Sequence, residues 1–149
     1  MDIKEHTTPE KLEYYAFLWS EAKMVIAAVS LFFGAVPIAY KILGMNAVSS
    51  LLPLFWLISG AASAYLLYCW HKGGQKVFGG KDTKDLTAFF VLVVTGLNLG
   101  LTAVGGNIGM SLVFEMPVAD ILFKATAVVY LIAAWYLWQR WNANGQKLF

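Results

Sequence analysis

Charge is missing from four long stretches of this chain, and that absence limits what it can fold into. No Asp, Glu, Lys or Arg occurs from Met24 to Tyr40, Ile42 to Trp70, Leu86 to Phe114 or Ala125 to Gln139. A bilayer core about 30 Å thick needs roughly 20 apolar residues of helix per crossing. Of the 149 residues, 59% are hydrophobic and only 13% are charged, too few charges for a soluble domain's surface. The sequence therefore predicts an all-α integral membrane protein of four transmembrane helices, forming a single transmembrane domain over 1–149. Membrane β-strands would be about 10 residues long and alternate strictly, and these runs do neither.

Segment one is read from Met24 to Tyr40, with Lys23 and Lys41 as bookends. Segment two follows a turn at Gly44, Asn46, Ser49 and Ser50 and starts near Leu51. Segment three runs from Leu86 until its glycines end the helix near Val104. Segment four must take in Asp120 and Lys124, because the uncharged run alone is short; four residues apart, the two form an intrahelical ion pair. Ahead of segment one, residues 9–20 are expected to form an interfacial helix. Thr8 is placed to cap it, Pro9 suits its first position, and Leu12, Tyr15 and Trp19 rest at headgroup depth. Direct extension of segment one into the cytoplasm is the alternative. Pro37 should kink or end segment one. The first 23 residues carry mixed charge, unlike a signal peptide.

Lys and Arg set the orientation. Lys4, Lys11, Lys23, Lys72, Lys76, Lys81, Lys84, Arg140 and Lys147 fall on one side, and only Lys41 and Lys124 on the other. The expectation is a multi-pass protein of a bacterial inner or plasma membrane with both termini cytoplasmic. The modest net charge of +2 gives no reason to expect a nucleic-acid partner.

Two stretches look alike. Trp70-His71-Lys72-Gly73-Gly74-Gln75-Lys76-Val77-Phe78 follows segment two, and Trp141-Asn142-Ala143-Asn144-Gly145-Gln146-Lys147-Leu148-Phe149 follows segment four. At the same offset Tyr65-Leu66 matches Tyr136-Leu137. This suggests a tandem duplication of a helical hairpin, with units of about 24–80 and 86–149 in parallel orientation. Trp19, Trp70 and Trp141 are candidate interfacial anchors. Gly74 and Gly145 can end their helices, and Phe78 and Phe149 can dip toward lipid.

Polar groups enter the spans mainly on segments two and three. Thr95, Asn98 and Thr102 share one helix face, and Gly96 and Gly100 form a GxxxG pattern beside it. Ser59 and Ser63 lie four apart among small residues. These are candidates for helix packing or for a pore lining. The run Thr102-Ala103-Val104-Gly105-Gly106 lacks the tyrosine and spacing of a potassium-channel filter.

Little points to catalysis. His6, in the N-terminal tail, and His71, at the inner end of segment two, cannot form the paired mid-membrane ligands of a b-type haem, and no carboxylate cluster suggests a metal, so no cofactor is expected. Glu21, Asp85, Glu115 and Asp120 are all expected near span boundaries. The single Cys69 reads as a packed thiol. The first expectation is a non-enzymatic structural or accessory subunit that associates with copies of itself or other membrane subunits. The alternative is a small oligomeric channel or uncharged-solute transporter lined by segment three, and a lipid-acting enzyme is a minor third.

Overall fold

The computed structural model describes residues 8–33, 44–106 and 119–149. They form an all-helical bundle of α1 (Pro9–Phe32), α2 (Met45–Lys72), α3 (Thr83–Ala103) and α4 (Ala119–Ala143). Each helix is long and apolar enough to cross a membrane. The shortest, α3, spans about 31 Å at 1.5 Å per residue.

Neighbours in sequence are neighbours in space. α1 packs on α2 and α4, α3 packs on α2 and α4, and α1 reaches α3 across the bundle. The most extensive contact is between α2 and α3.

Four helix termini carry recognisable chemistry. α1 begins at Thr8 in extended conformation with Pro9 following, but the Thr8 hydroxyl makes no capping bond. Pro9 has no N–H to satisfy and holds φ near the helical value, so the start needs little else. α3 begins with Asp82, whose carboxylate accepts from the backbone N–H of Lys84 at 2.8 Å and of Asp85 at 3.4 Å. The ends of α2 and α4 share one turn. The Gln75 N–H donates to Trp70 O and the Gln146 N–H to Trp141 O, both at 2.9 Å. Gly74 and Gly145 have φ of 77° and 68°, the left-handed region that terminates helices.

Several boundaries differ from those read in the sequence. α1 is one continuous helix from Pro9, so residues 9–20 are its first half rather than a separate piece. As a result Glu21 and Lys23 lie in the middle of a helix, not at the edge of a span. α2 begins at Met45, ahead of the expected start near Leu51, and carries Pro53 within it. α3 ends at Ala103 and α4 includes Asp120 and Lys124, which pair at 2.7 Å. The expected break at Pro37 and the expected boundary position of Glu115 lie outside the described residues.

The core is concentrated toward the end of the bundle where α2 and α4 finish. Trp141 is only 1% exposed and packs on Phe17 and Tyr14, at ring separations of 4.9 and 5.3 Å. It is therefore a core residue rather than a headgroup anchor. Trp70 is half-buried and lies 5.1 Å from Phe90 and 6.2 Å from Phe89. The two terminal turns meet: Phe78 N–H donates to Leu148 O at 2.7 Å. Phe78 is buried beneath the Arg140 guanidinium, and Phe149 stacks edge-on against Phe89. Neither ring turns toward lipid, because the bundle offers each an aromatic or cationic neighbour. Glu13 of α1 accepts the backbone N–H groups of Leu148 and Phe149 at 3.1 and 3.3 Å, tying the C-terminal residues to the first helix.

Candidate functional site

The polar centre of the bundle is built on Lys23. Its Nζ donates to Ser63 Oγ at 3.1 Å and to the Leu92 carbonyl at 3.0 Å. The residue is 1% exposed. Leu92 lies within one residue of the midpoint of α3, so the amino group sits about halfway along that helix. An ion there costs several kcal/mol unless it is coordinated. The fold meets that cost with a hydroxyl from α2 and a carbonyl from α3.

Gly96 makes room for this arrangement. A Cβ added there would collide with both Ser63 Oγ and Lys23 Nζ. One turn further along, α2 and α3 reach their closest approach. A Cβ on Gly60 would stand 2.7 Å from Gly100 Cα, and one on Gly100 would stand 2.9 Å from Gly60 Cα. The expected GxxxG surface is thus used inside the chain, pressing α3 against α2, and the same contact brings Ser63 and the Leu92 carbonyl within reach of α1.

The other predicted polar residues divide between this centre and the bundle's flanks. Ser59 is buried, accepts from Trp19 Nε1 at 3.0 Å and donates to the Phe55 carbonyl at 2.7 Å. Trp19 is thereby tied to α2 rather than to a headgroup layer. Thr95 is buried and returns its hydroxyl to the Val91 carbonyl at 2.6 Å. Asn98 and Thr102 are half-buried, and Thr102 donates to the Asn98 carbonyl at 2.9 Å. Of the predicted stripe, only Thr95 lies in the packed interior.

Glu21 went unrecognised as a site residue. It is 6% exposed, and its Oε1 has no hydrogen-bond partner among the described residues. It forms part of the wall of an open cavity of about 460 Å³ on the outer surface between α1 and α4, with Leu18, Ala22, Val25, Leu131, Ala134, Trp135 and Trp138, of which Val25, Leu131, Trp135 and Trp138 are exposed. Glu21 and Lys23 are two apart on one helix and so face different sides of it. The ammonium turns to α2 and α3 and the carboxyl toward α4. The available signal was the Thr8-Pro9 helix start. Counting forward from it puts both charges mid-helix.

A second charged cluster lies where α3 begins and α4 ends. Arg140 grips Asp85 with two bonds, Nε to Oδ1 at 2.9 Å and Nη2 to Oδ2 at 2.7 Å, and Tyr136 donates to Oδ1 at 2.7 Å. Asp85 is 1% exposed, while the Arg140 side chain is 44% exposed. Such a bidentate pair locks two helices in register. Tyr65 makes the corresponding reach in the first hairpin, to the Pro9 carbonyl at 3.4 Å.

No protein-family model matches the chain, and neither curated proteins nor solved structures yield a match.

Proposed function

We propose that this chain is a small membrane transporter whose working groups are the charges held inside the bundle. The observation that carries this reading is Lys23, whose fully buried amino group is held by Ser63 and the Leu92 carbonyl about halfway along α3. Ionisable residues at that depth are costly to keep and mark solute or ion pathways. Glu21, across the same helix, adds a carboxyl beside a cavity. The alternative expected from the sequence is narrowed accordingly: the polar groups at work are those of α1 with Ser63, rather than a stripe on α3. Both termini are cytoplasmic in this reading. Taking Lys23 out of the cytoplasmic count still leaves eight cations against two.

The two hairpins read as duplicated units. Each second helix ends in the same Trp-to-Gln turn, and each terminal Trp packs on the first helix of the other hairpin. Two-fold related hairpins give a transporter two halves that can rock against one another.

The test is electrical. Protein reconstituted in proteoliposomes on a solid-supported membrane is challenged in turn with amino acids, sugars, organic amines and carboxylates. At least one class should give a transient current that Glu21→Gln and Lys23→Met each abolish. Lys23→Met should keep or raise thermal stability, since a well-packed apolar side chain replaces a buried ion. Absence of current with every class would overturn the transport reading.

The accessory-subunit reading has its own support. Ile121, Ala125, Val128, Ile132 and Trp135 alternate by four and three residues and are all exposed on α4. That is the spacing of a helix–helix seam, with a second copy of the chain as its occupant. Ile132→Cys in a Cys69→Ser background should form a disulfide dimer in membranes. Cross-linking no greater than at a position off the seam would rule this contact out.

A further inference from the structure

The geometry points to the cavity between α1 and α4 as a binding site for a lipophilic organic ammonium ion, anchored on the Glu21 carboxyl. This rests on the transport reading and names its substrate class.

The cavity, about 460 Å³, is of the size that takes a small organic molecule. Its lining residues are apolar except for Glu21 and the two indoles of Trp135 and Trp138. Glu21 is buried, and Oε1 lacks a donor among the described residues. An unmet acceptor beside an apolar cavity calls for a ligand that brings its own donor. The nearest cation does not serve, since Lys23 is committed to Ser63 and Leu92 on the other side of α1. A protonated amine supplies both an N–H and the opposite charge. Trp135 and Trp138 also line the cavity, and indole is the side chain that best attracts a cation. Leu18, Val25 and Leu131 accept an apolar body. A sugar or amino acid would leave hydroxyl or carboxylate groups unmet against these residues. The cavity lies between two adjacent outer helices, so a ligand of this kind can enter from the bilayer, where its apolar body already partitions.

Three compounds sharing one body separate the chemistry: 3,3-diphenylpropylamine, 3,3-diphenylpropanol and 3,3-diphenylpropionic acid. Calorimetric titration into the detergent-solubilised full chain should show saturable 1:1 binding of the amine. The alcohol should bind at least tenfold more weakly, and the acid should show no saturable binding. Glu21→Gln should weaken the amine at least tenfold and leave the alcohol unchanged. Ala134→Trp, which fills the cavity from α4, should abolish binding of both. Since Ala134 is nearly buried, circular dichroism and gel filtration accompany that variant. Glu21→Gln is near-isosteric and keeps the inference falsifiable if Ala134→Trp does not fold.

Equal affinity of the amine for wild type and Glu21→Gln would overturn the site, as would equal binding of the acid. Absence of saturable amine binding would do the same; if the protein were then dimeric with Trp135 protected from quencher, the cavity would belong to a second copy. The outcomes remain distinguishable from those of the transport test. Glu21-dependent binding without current supports the site and sinks the transporter; current for another class without amine binding does the reverse.

Discussion

Replacing Gly60 with alanine tests the packing that assembles the polar centre. The added Cβ would stand 2.7 Å from Gly100 Cα, where ordinary contact is 3.4–4 Å. The obstacle is backbone and cannot rotate away, so α2 and α3 must part by roughly 1 Å, and overpacking of this kind costs about 1–3 kcal/mol. Against it stands the helix preference for Ala over Gly, a gain of about 0.5–1 kcal/mol. The net expectation is a loss within about 0–2.5 kcal/mol, centred a little above 1 kcal/mol, which is roughly a 5- to 10-fold fall in the folded-to-unfolded ratio. Reversible unfolding by sodium dodecyl sulfate in mixed micelles, followed by circular dichroism, reads this directly. Gly100→Ala forces the same separation from the other side, at 2.9 Å. The double variant should therefore cost less than the sum of the two singles, since one displacement relieves both clashes. The sign decides the matter. If either single variant is more stable than wild type, helix preference alone is at work, and the close approach of α2 and α3 is not a constraint.

Other expectations follow from asymmetries in the structure. Arg140→Leu strands a buried Asp85 and should cost about 3–5 kcal/mol. Asp85→Leu leaves an Arg140 that can reach water, so it should cost clearly less in the same unfolding assay; equal costs would contradict the assigned burial. Gly96→Ala collides with Ser63 as well as with the Lys23 head, so it should reduce both thermal stability and any solute current, and a second change, Lys23→Met, should restore neither in full because the Ser63 clash remains; complete recovery of stability by Lys23→Met would contradict this packing. Removal of residues 147–149 deletes the fully buried Leu148 and the backbone bonds to Glu13. Burial of one leucine is worth about 1.5–3 kcal/mol, so a loss of at least that size is expected, read as a lower melting temperature.

How much of this was legible without coordinates depends on the residue. Uncharged runs announced four helices, because a bilayer admits backbone only when its own groups are satisfied within each span. Asp120 and Lys124 were placed correctly by spacing alone, since i and i+4 share a helix face whatever surrounds them. The likeness of 70–78 and 141–149 was visible as letters, and Gly74 and Gly145 suggested a stop. That the two turns share a hydrogen bond and touch each other required the fold.

Lys23 shows where sequence reasoning stopped, and why. Bounding spans by their charges assumes that charges stay outside, and this holds only when nothing inside can coordinate them. The ligands here are Ser63 and a main-chain carbonyl 69 residues from Lys23 in sequence, and neither is marked by local pattern. Gly96 was recognised as a place for close approach, but only the packed structure showed that the space it leaves is filled by the Lys23 head as well as by a neighbouring helix. The sequence alone determined four helices long and apolar enough to cross a membrane, because that follows from the length and composition of each segment. Which helix faces meet, and so which charges end up inside, was decided by tertiary packing, because it depends on pairs of residues that only the assembled bundle brings together.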